Sequence, residues 1–284
     1  MQLGRWSLRP LRGGPDGIAV RFAQDGADVT IGVLAAGAVS DEDVEWAIDR
    51  AAGIAGLHDD SSPFDDVANN HALVARLHRR FRGARLTRTP TVWESFLRTV
   101  IEQLVTSQEA IAARRRVWRR WGDRVGATDL HVSPRAEVIA KVGAWEMRPL
   151  GVSLKRATTI LEGARRARRL EELRDDPPEE AMRKMMTLRG VGPWTANVVA
   201  MQALGYADAV LVGDSGAPFV TTMALTGKAG GDEAMLACLE PFRPHRARVH
   251  RLLEIAHRAD GGVEGVPARA PTILSPHRRT PWRY

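Results

Sequence analysis

Cysteine is nearly missing from this sequence. Cys238 is the only one in 284 residues, which rules out an internal disulfide, a cysteine-built zinc site and an iron–sulfur cluster. Such usage fits a reducing cytoplasm. Long hydrophobic runs are missing as well. None reaches the length of a bilayer span, and the opening MQLGRWSLRP lacks the apolar core of a secretory signal, so no membrane contact is expected. The eight histidines are scattered, with no H-E-x-x-H or comparable cluster, and no catalytic metal is expected. Lysine is scarce: Lys141, Lys155, Lys184 and Lys228 are the only four among 41 basic residues, the rest being arginine.

Hydrophobic residues make up 44% of the chain, enough for a substantial core rather than a disordered polymer. The formal net charge is +7 and the isoelectric point about 10.4. A basic balance of this size points to a polyanionic partner, nucleic acid above all, or to a plain solubility charge. Arginine suits bidentate phosphate contacts, but an arginine- and alanine-heavy composition also follows from a GC-rich genome and decides nothing. ARRRVWRRWGDR and GARRARRLEELR are the densest basic stretches. Charge at helical spacing is usually a solvated face; phosphate contacts there would make binding fall steeply with salt.

The chain divides by pattern. RWSLRPL, GIAVRFA and ADVTIGVLA are short, partly alternating and separated by the turn sequences RGGPD and QDG, which predicts strands. SDEDVEWAIDRAAGIAG predicts a helix capped by Ser40, acidic in its first turn and closed at Gly53 or Gly56. Val44, Ala47, Ile48 and Ala51 form its apolar face. Residues 1–67 therefore read as a small α+β domain. From 68 to 260 one helical pattern follows another, with 91–122 expected to be two helices parted near Thr106 and Ser107. Residues 261–284 are rich in Gly, Pro and Arg without periodicity and read as a flexible tail. The fold class is mainly α. Nothing suggests a coiled coil, and a monomer is the expected state.

Inside the helical region, EEAMRKMMTL, RGVG and PWTANVVAMQAL read as helix, hairpin and helix. Gly190 and Gly192 allow positive φ and close backbone approach, and Pro193 suits a first helical turn. Free amides at the start of the next helix favour an anion such as a DNA phosphate. An ordinary helix–helix turn is the plainer reading, and a bare GVG is common. Asp214 follows Trp194 by twenty residues, in AVLVGDSGAPFV, where its plainer role is a helix N-cap.

Leu188, Gly190, Val191, Gly192, Thr195, Ala196 and Asp214 together match L-x-G-V-G-x-x-T-A with a downstream aspartate. In this the chain resembles the helix–hairpin–helix DNA glycosylases of base-excision repair. TVWESFLRTVIEQLVTSQEA, GVSLKRATTILEGA and LEPFRPHRARVHRLLEIA resemble that family's preceding, intervening and closing helices. The similarity covers about residues 68–258. The N-terminal α+β unit makes it most similar to the 3-methyladenine DNA glycosylase II branch.

The resemblance implies a glycosylase core of two helical subdomains over residues 68–260. It implies a cytoplasmic, nucleoid-associated enzyme that flips a damaged base out of double-stranded DNA and hydrolyses its N-glycosidic bond. Asp214 would be the catalytic carboxylate, stabilising positive charge on the sugar and orienting water. Trp194 stands where strand-cutting members carry a Schiff-base lysine, which implies a monofunctional enzyme. Its π face attracts a positively charged alkylated purine, although core packing is the ordinary fate of tryptophan. Leu104 holds the family's wedge position; by pattern alone it is core. Gln103 is a candidate partner for the orphaned strand. Arg189, a proline in the family, adds a phosphate contact beside Gly190, Val191, Gly192 and Thr195. The hairpin carbonyls imply a monovalent cation, with no other cofactor.

The base pocket departs from the branch. Val198 and Ser215 stand where it has tyrosines, and Glu254 stands near a family tryptophan, or is simply a solvated helix residue. Asp208 reads as a loop residue that caps a turn or faces solvent. Two other readings stay open: a non-catalytic DNA-binding protein on a glycosylase scaffold, and a glycosylase for a bulky adduct.

Overall fold

The structure, a computed structural model, describes residues 7–10, 18–26, 28–35, 38–124 and 131–267. The ends of the first expected strand, its RGGPD turn and most of the expected tail lie outside the described residues. Three antiparallel strands come first: β1 (Ser7–Pro10), β2 (Ile18–Asp25) and β3 (Asp28–Ala35), in the order β1-β2-β3. Helix α1 (Asp41–Ala55) packs on this sheet. Its start is a reciprocal capping box: Ser40 Oγ accepts from the Asp43 amide at 3.2 Å, and Asp43 Oδ2 accepts from the Ser40 amide at 3.0 Å. Its end is Gly56, at φ +76°. Ile18 and Val20 meet Ala47 and Ala51 in a small separate core. Ile48, expected on the apolar face, is 46% exposed. A three-stranded sheet covers only a narrow stripe of the helix, and Ile48 lies beyond its edge.

The rest of the described chain is helical. The successive helices are α2 (Phe64–Ala68), α3 (Ala72–Arg80), α4 (Val92–Glu102), α5 (Ser107–Trp121), α6 (Ala136–Ile139), α7 (Leu154–Arg165), α8 (Ala167–Glu172), α9 (Pro178–Met185), α10 (Pro193–Val199), α11 (Ala217–Thr226), α12 (Asp232–Leu239) and α13 (Arg246–Asp260). The expected break between α4 and α5 is present, with Thr106 capping α5. A 3-10 segment at Ala144–Leu150 was not foreseen; Gly143, Pro149 and Gly151 crowd it too closely for a regular helix.

Two cores divide these helices, as the two-subdomain expectation requires. One is built from α4 to α9 with Val199 and Ala203 of α10 and its extension. The other gathers α2, α3, Val210, Leu211, α12 and α13 around Val198. Consecutive residues of α10, Val198 and Val199, therefore face different cores. Phe64 and Ala68 are buried in the second core, and Asp59 already forms a buried pair with Arg248 of α13 at 2.7 Å, so the chain joins the helical body ahead of the expected boundary at residue 67.

Asp208 corrects one expectation. It is 4% exposed rather than solvent-facing. Its Oδ1 accepts from Arg246 Nε at 2.8 Å, and its Oδ2 from an Arg246 terminal nitrogen at 2.7 Å and from Arg243 at 3.0 Å. Fork-to-carboxylate pairing lets the charge be buried, and ties the loop before α11 to the head of α13. Asp208→Ala strands the buried Arg246 guanidinium. It is expected to cost about 3–5 kcal/mol, read as a lower urea midpoint at unchanged slope.

Candidate active site

The hairpin joins α9 to α10. Gly190 adopts φ +85°, and a Cβ there would stand 2.1 Å from Thr159 Oγ1 of α7. Both the backbone and the close approach demand glycine. Gly192 differs from expectation: its φ is −109° and ψ −177°, extended backbone open to any residue, and a Cβ would meet nothing within 4 Å. Its openness leaves the face before α10 uncovered. The amides of the first helical turn have no intrahelical acceptor, and no side chain caps this helix. Arg189 is exposed beside them.

Two neighbours brace the turn. Thr159 Oγ1 donates to the Arg189 carbonyl at 3.1 Å. Gln103 Nε2 donates to the Gly190 carbonyl at 3.0 Å and to the buried Thr195 hydroxyl at 2.8 Å. Gln103 is therefore a strut between α4 and the hairpin, with its amide nitrogen already engaged, rather than a free partner for a DNA strand. The Leu188 carbonyl also accepts, from the Val191 amide at 3.1 Å. Among the described residues there is no group of three or more His, Cys, Asp or Glu suited to a metal.

Leu104 follows the strut. It is 70% exposed and, at φ +54°, the only described non-glycine residue with positive φ. A bulky side chain held in that region is strained, a condition that persists only where surrounding structure enforces it. The core alternative for Leu104 does not hold.

Asp214 lies at the head of α11. Its Oδ1 accepts from the amides of Gly216 at 2.7 Å and Ala217 at 2.8 Å, and its Oδ2 from Trp194 Nε1 at 2.9 Å. The capping role and the contact with Trp194 thus coexist. Three elements hold its loop. Asn197 of α10 accepts from the Val210 amide at 3.1 Å, Asp232 of α12 from the Gly213 amide at 3.0 Å, and Asp208 anchors to α13. Trp194 is half-buried on the second core, while Ser215 is exposed beside Asp214. Val198 is 4% exposed. One helical turn below Trp194, it packs against Val210 and Leu211 and lines the core rather than an accessible wall.

Sequence reasoning passed over His250. It lies on α13 and feels the Asp214 and Glu254 carboxylates. Its only signal was the four-residue spacing to Glu254, which places the two on one helix face. Glu254 itself pairs with Arg251 and Arg258, at 2.9 and 2.5 Å. The basic stretches are partly consumed in the same way. Arg114 pairs with Glu102, Arg166 with Glu162 and Arg168 with Glu172. A cavity of about 440 Å³ opens elsewhere, beside α2 and α3. Within it His78 meets Asp65 at 2.5 Å, and none of the hairpin residues lines it.

No protein-family model matches the chain. A curated relative, the DNA-3-methyladenine glycosylase of Bacillus subtilis (strain 168), is 26% identical over 166 residues, 56% of this chain and 55% of the relative. The chain spans about half the length of the curated relatives it matches. Among solved structures, a 3-methyladenine DNA glycosylase from Archaeoglobus fulgidus superposes with a TM-score of 0.76 at 24% identity, covering 89% of this chain and 87% of that one. The 8-oxoguanine glycosylase/lyase of Clostridium acetobutylicum, bound to double-stranded DNA, gives a TM-score of 0.68 at 15% identity, covering 92% and 89%.

The two hairpin glycines are expected to behave differently. Gly190→Ala should cost about 1–3 kcal/mol of stability from strain and the Thr159 clash, whereas Gly192→Ala should stay within about 0.5 kcal/mol. Paired urea denaturation curves give both values.

Proposed function

We propose that this chain, which has the helix–hairpin–helix DNA glycosylase fold and DNA-3-methyladenine glycosylases among its sequence relatives, is a monofunctional DNA glycosylase acting on alkylated purines. The observation that carries this reading is the hydrogen bond from Trp194 to Asp214. It puts an indole, and not an amine, next to the carboxylate.

In this mechanism, double-stranded DNA meets the hairpin, where amides before α10 and the Arg189 guanidinium take phosphates. Leu104, already projecting, fills the gap left by the extruded nucleotide. The base settles against the Trp194 ring, whose face attracts the positive charge of an N-alkylated purine. As the N-glycosidic bond lengthens, positive charge grows on the sugar and the Asp214 carboxylate stabilises it. Water then adds to the sugar carbon, its proton passes to solvent or to Asp214, and the free base departs. Trp194 offers no nucleophilic nitrogen, so no Schiff base forms and the abasic strand stays uncut.

The first test is base release from methylated genomic DNA, read by mass spectrometry. Wild type should release methylated purines and leave unnicked abasic DNA; Asp214→Asn should be slower by about 10²–10³-fold while still binding DNA. Nicked product would overturn the monofunctional mechanism. Binding without release of any base would favour the non-catalytic reading, and release of bulky adducts alone would favour the adduct reading.

Leu104 offers an independent check. Leu104→Gly removes an exposed side chain and relieves positive φ, so stability should change by less than about 1 kcal/mol. Base release from duplex DNA should nevertheless fall severalfold, and release from single strands should not. Equal loss on both substrates would remove the wedge role.

A further inference from the structure

We propose that the cavity beside α2 and α3 is a second ligand site, shaped for a compact phosphate ester that also carries hydroxyl or amine donors, of which a nucleoside monophosphate is the simplest. This inference stands apart from the glycosylase reading, since neither the hairpin nor Asp214 lines the cavity.

Size and rigidity come first. The cavity holds about 440 Å³, inside the range of about 300–1,000 Å³ that small-molecule sites occupy. Among the described residues its apolar side chains are Ala68 and Ala75, too small to anchor a hydrophobic ligand. The turn from Asp59 to Ser62 forms one wall and is clamped from behind. Arg248 of α13, only 6% exposed, donates to both Asp59 carboxylate oxygens and to the Asp60 carbonyl, each at 2.7 Å. The Leu86 amide donates to the same carboxylate at 2.9 Å, which ties the stretch after α3 to that clamp. The opposite wall is α3, whose Leu73, Val74 and Leu77 are buried in the second core. A site formed in advance loses little affinity to the ordering of its own walls.

Charge then selects the ligand. Arg79, Arg82 and Arg85 all line the space. Among the described residues Arg79 and Arg82 hold no hydrogen bond or ion pair. Arg85 donates to two neutral acceptors, the Asp59 carbonyl at 2.7 Å and the Ser61 hydroxyl at 3.0 Å. Guanidiniums gathered round one space without a paired carboxylate repel one another, and a phosphate matches their fork geometry. Two carboxylates share the wall, each held by other groups. Asp60 accepts from the Ser62 amide at 2.9 Å and from the Ser62 hydroxyl at 2.7 Å, and Asp65 meets His78 at 2.5 Å. Their remaining lone pairs suit a ligand that brings donors. Bare phosphate meets these carboxylates as a like charge. A nucleoside monophosphate offers them ribose hydroxyls or an exocyclic amine, and turns its phosphate to the arginines.

The experiment is isothermal titration calorimetry on the full chain at low salt, with adenosine 5′-monophosphate, adenosine and inorganic phosphate as probes. Wild type is run beside the double variant Arg79→Gln/Arg82→Gln and beside Asp65→Asn. Wild type should bind the monophosphate at least about tenfold more tightly than adenosine or phosphate. The double variant should lose about tenfold or more for the monophosphate, while its affinity for duplex DNA stays within about twofold of wild type. Asp65→Asn should weaken the monophosphate severalfold and leave inorganic phosphate bound as well as before or better, because a like charge is removed. No saturable binding of the monophosphate by wild type below about 10 mM overturns the inference, as does equal affinity in wild type and the double variant. Equal affinity for phosphate and the monophosphate in wild type overturns the nucleotide in favour of a simple anion hole. A double variant that loses duplex DNA by about tenfold, where wild type binds no monophosphate, overturns it in favour of a contact to the DNA backbone.

Discussion

The hydrogen bond between the Trp194 indole and the Asp214 carboxylate is the contact on which the site depends. It spans two parts of the chain that fold into place separately: the start of α10, just past the hairpin, and the head of α11. Each end is fixed by other means. Trp194 rides on a helix whose next turns insert Val198 into one core and Val199 into the other. Asp214 is held by two amides and by a loop pinned from α10, α12 and α13. The indole therefore does not wander, and the carboxylate cannot turn away from it. Preorganisation of this kind lets a charge act in a transition state without first reorganising its surroundings.

A second frame carries Leu104. Arg156, buried on α7, donates to the Ile101 carbonyl at 2.5 Å and the Gly151 carbonyl at 3.0 Å, holding the end of α4. Gln103 then links that end to Gly190 and Thr195. Between these anchors the backbone has little choice, and Leu104 takes the left-handed conformation that a bulky residue disfavours. Strain here is the by-product of a rigid mount. The same mount fixes the distance between the projecting leucine and the hairpin amides. A flexible loop would lose that distance, and with it the coupling between phosphate contact and base extrusion that the proposed function requires.

Legibility in the sequence followed locality. The break at Thr106, the Ser40 cap and the Gly190 turn were readable because each depends on neighbours within a few residues. The pairing of Trp194 with Asp214 was readable only through the resemblance, since nothing local forces an aspartate to return to a tryptophan twenty residues earlier. Other features were set by packing at long range. Gly192 looked equivalent to Gly190, but only Gly190 meets Thr159. Val198 looked like pocket wall until a second core claimed it. Asp208 read as a turn cap or a solvent-facing loop residue because its partners, Arg243 and Arg246, lie on a different helix and loop.

Asp208 and Asp214 share one loop, and comparing them shows how two carboxylates can be held by different means. Asp208 is clasped by two guanidinium groups. Its charge is cancelled where it sits, so it has little field left for anything that approaches. Asp214 is held instead by two backbone amides and an indole N–H, all neutral. Dipoles of this sort stabilise an anion without neutralising it, and the net negative charge remains available at the half-buried face of α11. Each carboxylate oxygen has a second lone pair, so Oδ2 still has acceptor capacity beyond the indole. An arginine in place of Trp194 would hold Asp214 just as firmly, yet cancel the charge on which the proposed reaction relies. A lysine there would add a nucleophile. Tryptophan does neither: it orients the carboxylate, leaves its charge intact and presents a polarisable face to the same space.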